Sequence, residues 1–214
     1  MAPSRARLST TPTTDRWSLP VARRWLDAAP TLAAEFRDAE PFPHLVLDDF
    51  LDAELAQRLH DEFPAADAMP KSRDYVFGRK RELSSVEASG TAGAAFHRAV
   101  TSPEFSQLLG ALTGYDAFVD PRFHGGGFHL ASDGGFLDLH VDFNVHPGHD
   151  DWLRVLNVLL YLNHDWKPDY GGQLLIKATP QAQAVAIEPA GGRRSPKSPR
   201  PSPTTAATQG NARA

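Results

Sequence analysis

Cysteine is absent from the 214 residues, which excludes disulfide bridges, thiolate metal sites and a catalytic thiol. Long apolar runs are also scarce. The longest, from Val155 to Leu162, is interrupted by Asn157 and has the length of a strand rather than of a membrane span. The amino-terminal residues carry no apolar signal-peptide core. We therefore expect a cytoplasmic protein without a membrane partner.

Acidic charge is concentrated in the middle of the chain. The formal net charge is −4, but residues 178–214 carry +4 and residues 1–16 carry +2, which leaves about −10 for residues 17–177. Because binding to phosphate groups needs a basic surface, this acidic body argues against nucleic acid as a partner. We expect a protein, peptide or small-molecule substrate instead. The sequence indicates no oligomeric state.

Composition divides the chain into four parts. Residues 1–16 are rich in Ser, Thr, Pro and Arg and predict a disordered leader. Residues 17–40 have apolar side chains at near-helical spacing and predict a short helical segment. Residues 41–190 hold the patterns of a folded domain. Residues 191–214 are rich in Pro, Ser and Arg with almost no large apolar residue, which predicts a disordered tail.

Helical patterns come first within the folded domain, and strand patterns follow. Asp52 is placed to cap a helix over roughly 53–63. Residues 65–92 have few apolar anchors and predict a mobile surface segment with at most one strand. From Phe118 onward glycines cluster and strand-length runs replace helical ones. This order predicts an α+β fold in which helices pack on a β-rich sandwich or barrel.

The strongest strand pattern runs from Leu153 to Asn163. A period of two places Asn157 and Tyr161 on one face and only apolar residues on the other. Such a polar face is found on a strand edge or around a buried tyrosine with a satisfied hydroxyl. It equally suits a ligand cavity, which needs apolar walls and a few placed polar groups.

The triplet His140-Val141-Asp142 carries the clearest chemistry. Successive side chains of a strand alternate between faces, so an imidazole and a carboxylate two residues apart can bind one metal ion. The alternative is a hydrogen-bonded polar pair beside a loop. An isolated triplet of this kind is common by chance, so the surrounding residues decide between the two interpretations.

Neighbouring motifs favour the metal site. They are His140-Val141-Asp142-Phe143-Asn144, Leu156-Asn157-Val158-Leu159-Leu160-Tyr161-Leu162-Asn163-His164-Asp165-Trp166, Gly171-Gly172-Gln173-Leu174-Leu175-Ile176 and the earlier Pro41-Phe42-Pro43-His44-Leu45-Val46-Leu47-Asp48-Asp49-Phe50-Leu51. Together they resemble the prolyl 4-hydroxylase-like branch of the Fe(II)/2-oxoglutarate-dependent dioxygenases over roughly residues 41–177. The resemblance implies a double-stranded β-helix, a cupin-like jelly roll, with amino-terminal helices packed on it.

The resemblance also implies a reaction and its cofactors. Fe(II) would be the metal, 2-oxoglutarate the co-substrate and ascorbate an additional reductant. His140 and Asp142 would be metal ligands. The implied reaction hydroxylates a prolyl or other peptidyl residue, with succinate and CO2 as co-products, and the cofactor carries the radical chemistry.

Four further residues are candidates for the same site. The resemblance implies that the hydroxyl of Tyr161 reaches a carboxylate of 2-oxoglutarate, and Asn157 on the same face is a second cofactor-binding candidate. His129 and Arg154 are candidates for lining the pocket or the substrate groove. The pattern favours a satisfied structural histidine for His129 and a surface position for Arg154.

The carboxyl-terminal part departs from the family pattern. The family needs a second imidazole on a later strand and a basic residue beyond it for 2-oxoglutarate, whereas no histidine follows His164. The composition changes abruptly near residues 191–194, as a frameshift would produce. We therefore expect a barrel that is incomplete at the carboxyl terminus, truncated or frameshifted before the distal histidine and the 2-oxoglutarate-binding arginine or lysine.

Two other hypotheses follow from these observations. The first is a catalytically inactive, truncated barrel that binds a ligand or a partner. The second is a cupin-like metal protein that uses His140 and Asp142 together with His146 or His149.

Overall fold

The computed structural model describes residues 5–6, 22–69, 71–189 and 204–213, and the side chains within 24–69 and 76–189. The α-helices in these residues are α1 (Ala22–Asp38), α2 (Ala53–Asp61), α3 (Thr91–Val100) and α4 (Pro103–Thr113). The strands are β1 (Arg5–Ala6), β2 (Val46–Leu47), β3 (Lys71–Tyr75), β4 (Gly78–Leu83), β5 (Ala117–Val119), β6 (Gly127–Leu130), β7 (Phe136–Leu137), β8 (Val145–His146), β9 (His149–Tyr161), β10 (Leu174–Ile176), β11 (Val185–Ile187) and β12 (Thr204–Arg213).

Helices and antiparallel strands are both abundant, which confirms the predicted α+β class. Across the described residues the largest sheet has the order β3-β4-β6-β12-β9-β8, with β5 also pairing β12 and β7 also pairing β4. Strands β10 and β11 form a separate antiparallel pair, and β1 pairs with β2 in parallel. These pairings do not establish a double-stranded β-helix, which stays a prediction.

Helix α2 begins where its predicted capping residue lies. The Asp52 carboxylate accepts the N–H of Glu54 at 2.8 Å, which satisfies one free donor at the start of α2. The amino terminus of α3 is satisfied from outside, because the Glu62 carboxylate accepts the N–H of Ala92 at 2.7 Å. Within the described residues no helix is both long and apolar enough to span a bilayer.

The segment over 65–92 differs from the prediction of a mobile surface segment. It contains β3 and β4, and β4 also pairs with β6 and β7. Backbone pairing on both sides of β4 is joined by three apolar anchors, since Met69 and Val86 are buried in the core and Leu83 packs against it. Charged side chains are matched locally as well, since the Lys80 Nζ lies 2.8 Å from Glu82 Oε1.

The described part of the predicted carboxyl-terminal tail is paired with other strands. Residues 204–213 form β12, which pairs with β5, β6 and β9. This stretch follows Pro203, the last proline, so every backbone N–H in it can join a strand ladder. Residues 191–203 and 214 of the predicted tail lie outside the described residues, as does the predicted leader apart from Arg5–Ala6.

The two faces of the sheet have different partners. Phe128 on β6 is buried in the core, and Leu156, Val158 and Leu160 on β9 pack against that core. The helices supply most of the other core side chains. They include Trp25, Leu32, Leu55, Leu59, Phe96, Val100, Phe105 and Leu108. The helices thus cover one face, and the alternate residues of β9 are left for the other, as the period of two predicts.

Candidate functional site

The triplet His140-Val141-Asp142 lies between β7 and β8 and is not itself part of a strand. Strand β7 pairs with β4, and the N–H of Asp138 donates to the carbonyl of Phe77 at 2.9 Å, so the sheet fixes the start of the triplet. Val141 is 90% exposed, whereas the side chains on either side of it converge. The His140 Nε2 lies 3.3 Å from Asp142 Oδ1.

The ring of His140 is oriented by a backbone contact. Its Nδ1 lies 2.7 Å from the carbonyl oxygen of Asp138. Because a carbonyl only accepts, Nδ1 carries the proton, and in the neutral ring Nε2 keeps its lone pair toward Asp142. At 3.3 Å from Asp142 Oδ1, Nε2 can either donate a hydrogen bond to it in the imidazolium form or bind a metal ion together with it. This is the tautomer arrangement that metal-binding imidazoles use.

The second carboxylate oxygen of Asp142 is held by two donors from β9. Asn157 Nδ2 donates to Oδ2 at 2.9 Å, and an Arg154 guanidinium nitrogen lies 2.9 Å from the same atom. Arg154 also donates to the side-chain oxygen of Asn157, and its guanidinium lies 4.9 Å above the ring of Phe143. These contacts leave Oδ1 as the oxygen that faces His140.

The predicted surface position of Arg154 is wrong. Its side chain is 9% exposed. The cause is a β-bulge: the register with β12 passes from Arg154 to Leu156 and skips Val155, so Arg154 turns to the face of Asn157. Burial lowers the pKa of Arg154 below its ordinary value, and the charge of Asp142 opposes that shift.

Tyr161 ends β9, four residues after Asn157. Burial raises its pKa to about 12, so the phenol is a neutral hydrogen-bond donor at physiological pH. Across the sheet Tyr161 is paired with Thr205 of β12, and Thr205 is paired with His129 of β6. Tyr161 and His129, both candidates from the sequence, therefore lie in one row of paired residues that runs across β9, β12 and β6.

His129 belongs to a polar cluster that the sequence did not indicate. Its Nδ1 lies 3.2 Å from Lys80 Nζ and 3.6 Å from Glu82 Oε1. The alternation of Lys80 and Glu82 along β4 is the signal that could have placed them on one face, had that segment been recognised as a strand. The cluster is consistent with the structural role favoured for His129, and its role in a pocket stays a prediction.

The two loop histidines have other partners. The side chain of His146 is 2% exposed, and its Nε2 lies 3.4 Å from Asp120 Oδ2. The ring of His149 stacks on Trp152 with centroids 3.8 Å apart. In the part of the chain that the structure describes, no group of three or more His, Asp or Glu side chains could hold a metal ion. The cupin-like set with His146 or His149 is therefore not assembled there.

The donor set fits iron in part. A neutral imidazole and a carboxylate oxygen are ligands of non-haem iron sites, which use two histidines and one carboxylate on one face of the metal. His140 and Asp142 provide one of each, already facing one another. The described residues thus offer two of the three expected ligands.

Comparison with known proteins gives one result at this site. Residues 126–195 match the 2OG-Fe(II) oxygenase superfamily. This oxygenase-like segment spans 70 of the 214 residues and contains the triplet, Arg154, Asn157 and Tyr161. The similarity to the oxygenase superfamily is confirmed there, whereas the prolyl 4-hydroxylase-like branch stays a prediction. No curated protein matches the chain.

Proposed function

We propose that this chain is a dioxygenase-type enzyme that uses Fe(II) and 2-oxoglutarate. The observation that carries the proposal is the pair of facing side-chain atoms, His140 Nε2 and Asp142 Oδ1, inside the segment that matches the oxygenase superfamily. When bound, the iron supplies the activation of O2 that hydroxylates an unreactive C–H bond, with 2-oxoglutarate converted to succinate and CO2.

The side chains of this site have distinct parts in the proposal. His140 and Asp142 hold the cation. The neutral hydroxyl of Tyr161 donates a hydrogen bond to a carboxylate of 2-oxoglutarate, and its raised pKa keeps the proton in place. Asn157, on the same face of β9 as Tyr161, fixes the Asp142 carboxylate through a 2.9 Å hydrogen bond.

The substrate of the proposal is a prolyl or other peptidyl residue. Exposed apolar side chains lie in and next to the triplet: Val141 is 90% exposed, Leu139, which precedes the triplet, is 56% exposed, and Phe77, whose carbonyl accepts the N–H of Asp138, is 64% exposed. Such a surface suits a peptide that brings its own apolar groups. The cytoplasmic location and the use of ascorbate belong to the same proposal and are supported by the sequence and the resemblance.

Turnover of 2-oxoglutarate tests the proposal. The full chain is incubated with Fe(II), 2-oxoglutarate, ascorbate and O2, and succinate is measured. We expect succinate formation that requires Fe(II) and O2 and that is lost in His140→Ala. His60 on α2 is not suited as a control, because its side chain is only 30% exposed and its ring contacts His164 of a distant segment. The ring of His44 contacts its chain neighbour Phe42, so His44→Ala is the matched control. Absence of succinate with the wild-type chain would contradict the proposal.

A second candidate function is a non-catalytic binding module. It is favoured by the two-ligand set, which lacks the third group of a facial triad among the described residues. This alternative predicts that 2-oxoglutarate or a peptide binds while succinate is never formed. Binding measured by calorimetry beside the turnover assay separates the two functions.

A further inference from the structure

The Asp142 carboxylate is partly exposed, yet two hydrogen-bond donors fix its orientation. Its side chain is 34% exposed, yet both donors on Oδ2 come from β9, and Arg154 is 9% exposed. Arg154 is itself fixed by the Asn157 side chain and by the ring of Phe143. The bulge at Val155 is what brings these two donors to one face.

We propose that Arg154 is a positioning residue for divalent-cation binding. It fixes Oδ2 of Asp142, with help from Asn157, so that the carboxylate offers a cation Oδ1 alone, next to His140 Nε2. This inference rests on the metal-binding part of the proposed function and is independent of turnover.

Two effects of Arg154 on a cation have opposite signs. Its positive charge repels a divalent ion, and removing that charge would tighten binding. Its hydrogen bond orders the carboxylate, and removing that order weakens binding; loss of such outer contacts commonly costs tenfold to a hundredfold in metal affinity. Because the charge of Arg154 is largely neutralised by its ion pair with Asp142, its net repulsion of a cation is reduced, and we expect the ordering effect to dominate. Replacing Arg154 therefore weakens cation binding if the residue positions Asp142, and tightens it if only its charge matters.

Manganese binding tests the proposal without any turnover. Mn(II) is titrated into the full chain, and the dissociation constant is measured by calorimetry and by the electron paramagnetic resonance signal of free Mn(II). We expect Arg154→Met to bind Mn(II) about tenfold more weakly or worse. Arg154→Lys, which keeps one donor, should recover part of the loss. The exposed Arg98 on α3 provides the matched control, so Arg98→Met should bind as the wild type does.

A second variant covers the case in which Arg154→Met does not fold. Asn157→Ala removes one donor to Oδ2 and leaves the ion pair, so it should fold and bind Mn(II) more weakly. Thermal unfolding without metal is measured for each variant. A purely structural role would lower the melting temperature and leave the Mn(II) affinity of the folded chain unchanged.

The outcomes separate the inference from the proposed function. Unchanged or tighter Mn(II) binding by folded Arg154→Met would overturn the positioning role, and so would unchanged binding by Asn157→Ala. Binding by the wild type that survives His140→Ala or Asp142→Ala, or no binding at all, would overturn the half-site and the inference together. Weaker binding by the Arg154 and Asn157 variants with no succinate formation would support the inference and contradict the proposed function alone.

Discussion

The Asp120 carboxylate connects residues 122–124 with His146, and its replacement provides the sharpest test of how this part of the chain is held. The carboxylate accepts the N–H groups of Arg122 at 2.9 Å and His124 at 2.8 Å, and its Oδ2 lies 3.4 Å from His146 Nε2. His146 Nδ1 accepts the N–H of Gly148, so Nε2 carries the proton and donates. Asp120→Ala would leave all three donors without this acceptor.

The cost of that change can be estimated from burial. The imidazole of His146 is 2% exposed, and a buried donor without a partner costs about 1–3 kcal/mol. The two backbone N–H groups are only partly buried and can be rehydrated, which adds about 1 kcal/mol together. We expect the free energy of unfolding to fall by about 2–4 kcal/mol. The exposed Asp116, four residues earlier, is the control, and Asp116→Ala should change it by less than about 0.5 kcal/mol.

Urea unfolding followed by tryptophan fluorescence measures the difference, since the shift of the midpoint multiplied by the slope gives the change in free energy. Burial alone would raise the pKa of Asp120, but the donors from Arg122, His124 and His146 outweigh it and lower the pKa. The stabilisation is therefore complete above the ordinary pKa of about 4 and is lost as the pH falls through the lower folded value. A loss below about 1 kcal/mol at neutral pH, or a difference that does not shrink in acid, would refute this reasoning.

Three further predictions concern the titration of Tyr161 and the stability of variants at Gly127 and Trp25. The difference in ultraviolet absorbance between wild type and Tyr161→Phe should titrate near pH 12, and a midpoint near 10 would contradict the burial of the phenol. Gly127→Ala should cost at least about 3 kcal/mol in urea unfolding, because φ is +123° and the new Cβ would lie 2.3 Å from the Leu83 carbonyl oxygen. Gly114→Ala, with φ of +78° and open space around it, should cost only about 1–2 kcal/mol, and equal losses would rule out the contact as the cause. Trp25→Ala should lose about 3–5 kcal/mol, because the ring is fully buried and its Nε1 donates to Phe50; an unchanged unfolding midpoint would argue against that packing.

Local patterns predicted the helices and the faces of β9 well. Asp52 caps α2 as predicted, and Leu156, Val158 and Leu160 face the core as the period of two requires. These features depend on residues close together in the chain, so the sequence contains the information directly.

The paired strands could not be predicted in the same way. Leu83 is the one large apolar residue of β4, and the strand also depends on pairing with β6, which is more than forty residues later. Arg154 was expected at the surface because the bulge that turns its side chain toward Asn157 depends on the register with β12. Local periodicity carries no information about register between distant strands.

The candidate site was predicted as a pair but not as a network. The convergence of His140 and Asp142 was expected from the alternation of side chains in a strand, whereas the structure brings them together outside any strand. The two donors that hold Asp142 were not predicted, because Arg154 reaches the carboxylate only through the bulge. The partner of His146 was also missed, since Asp120 lies 26 residues earlier with no motif to link them.

The absorption spectrum of the anaerobic chain with Fe(II) and 2-oxoglutarate tests the central claim most directly. A metal site that contains His140 and Asp142 and admits 2-oxoglutarate as a chelating ligand predicts a visible charge-transfer band in the wild type. The band should disappear in His140→Ala and persist in His44→Ala. A wild-type spectrum without the band, or a band that His140→Ala leaves unchanged, would contradict the account.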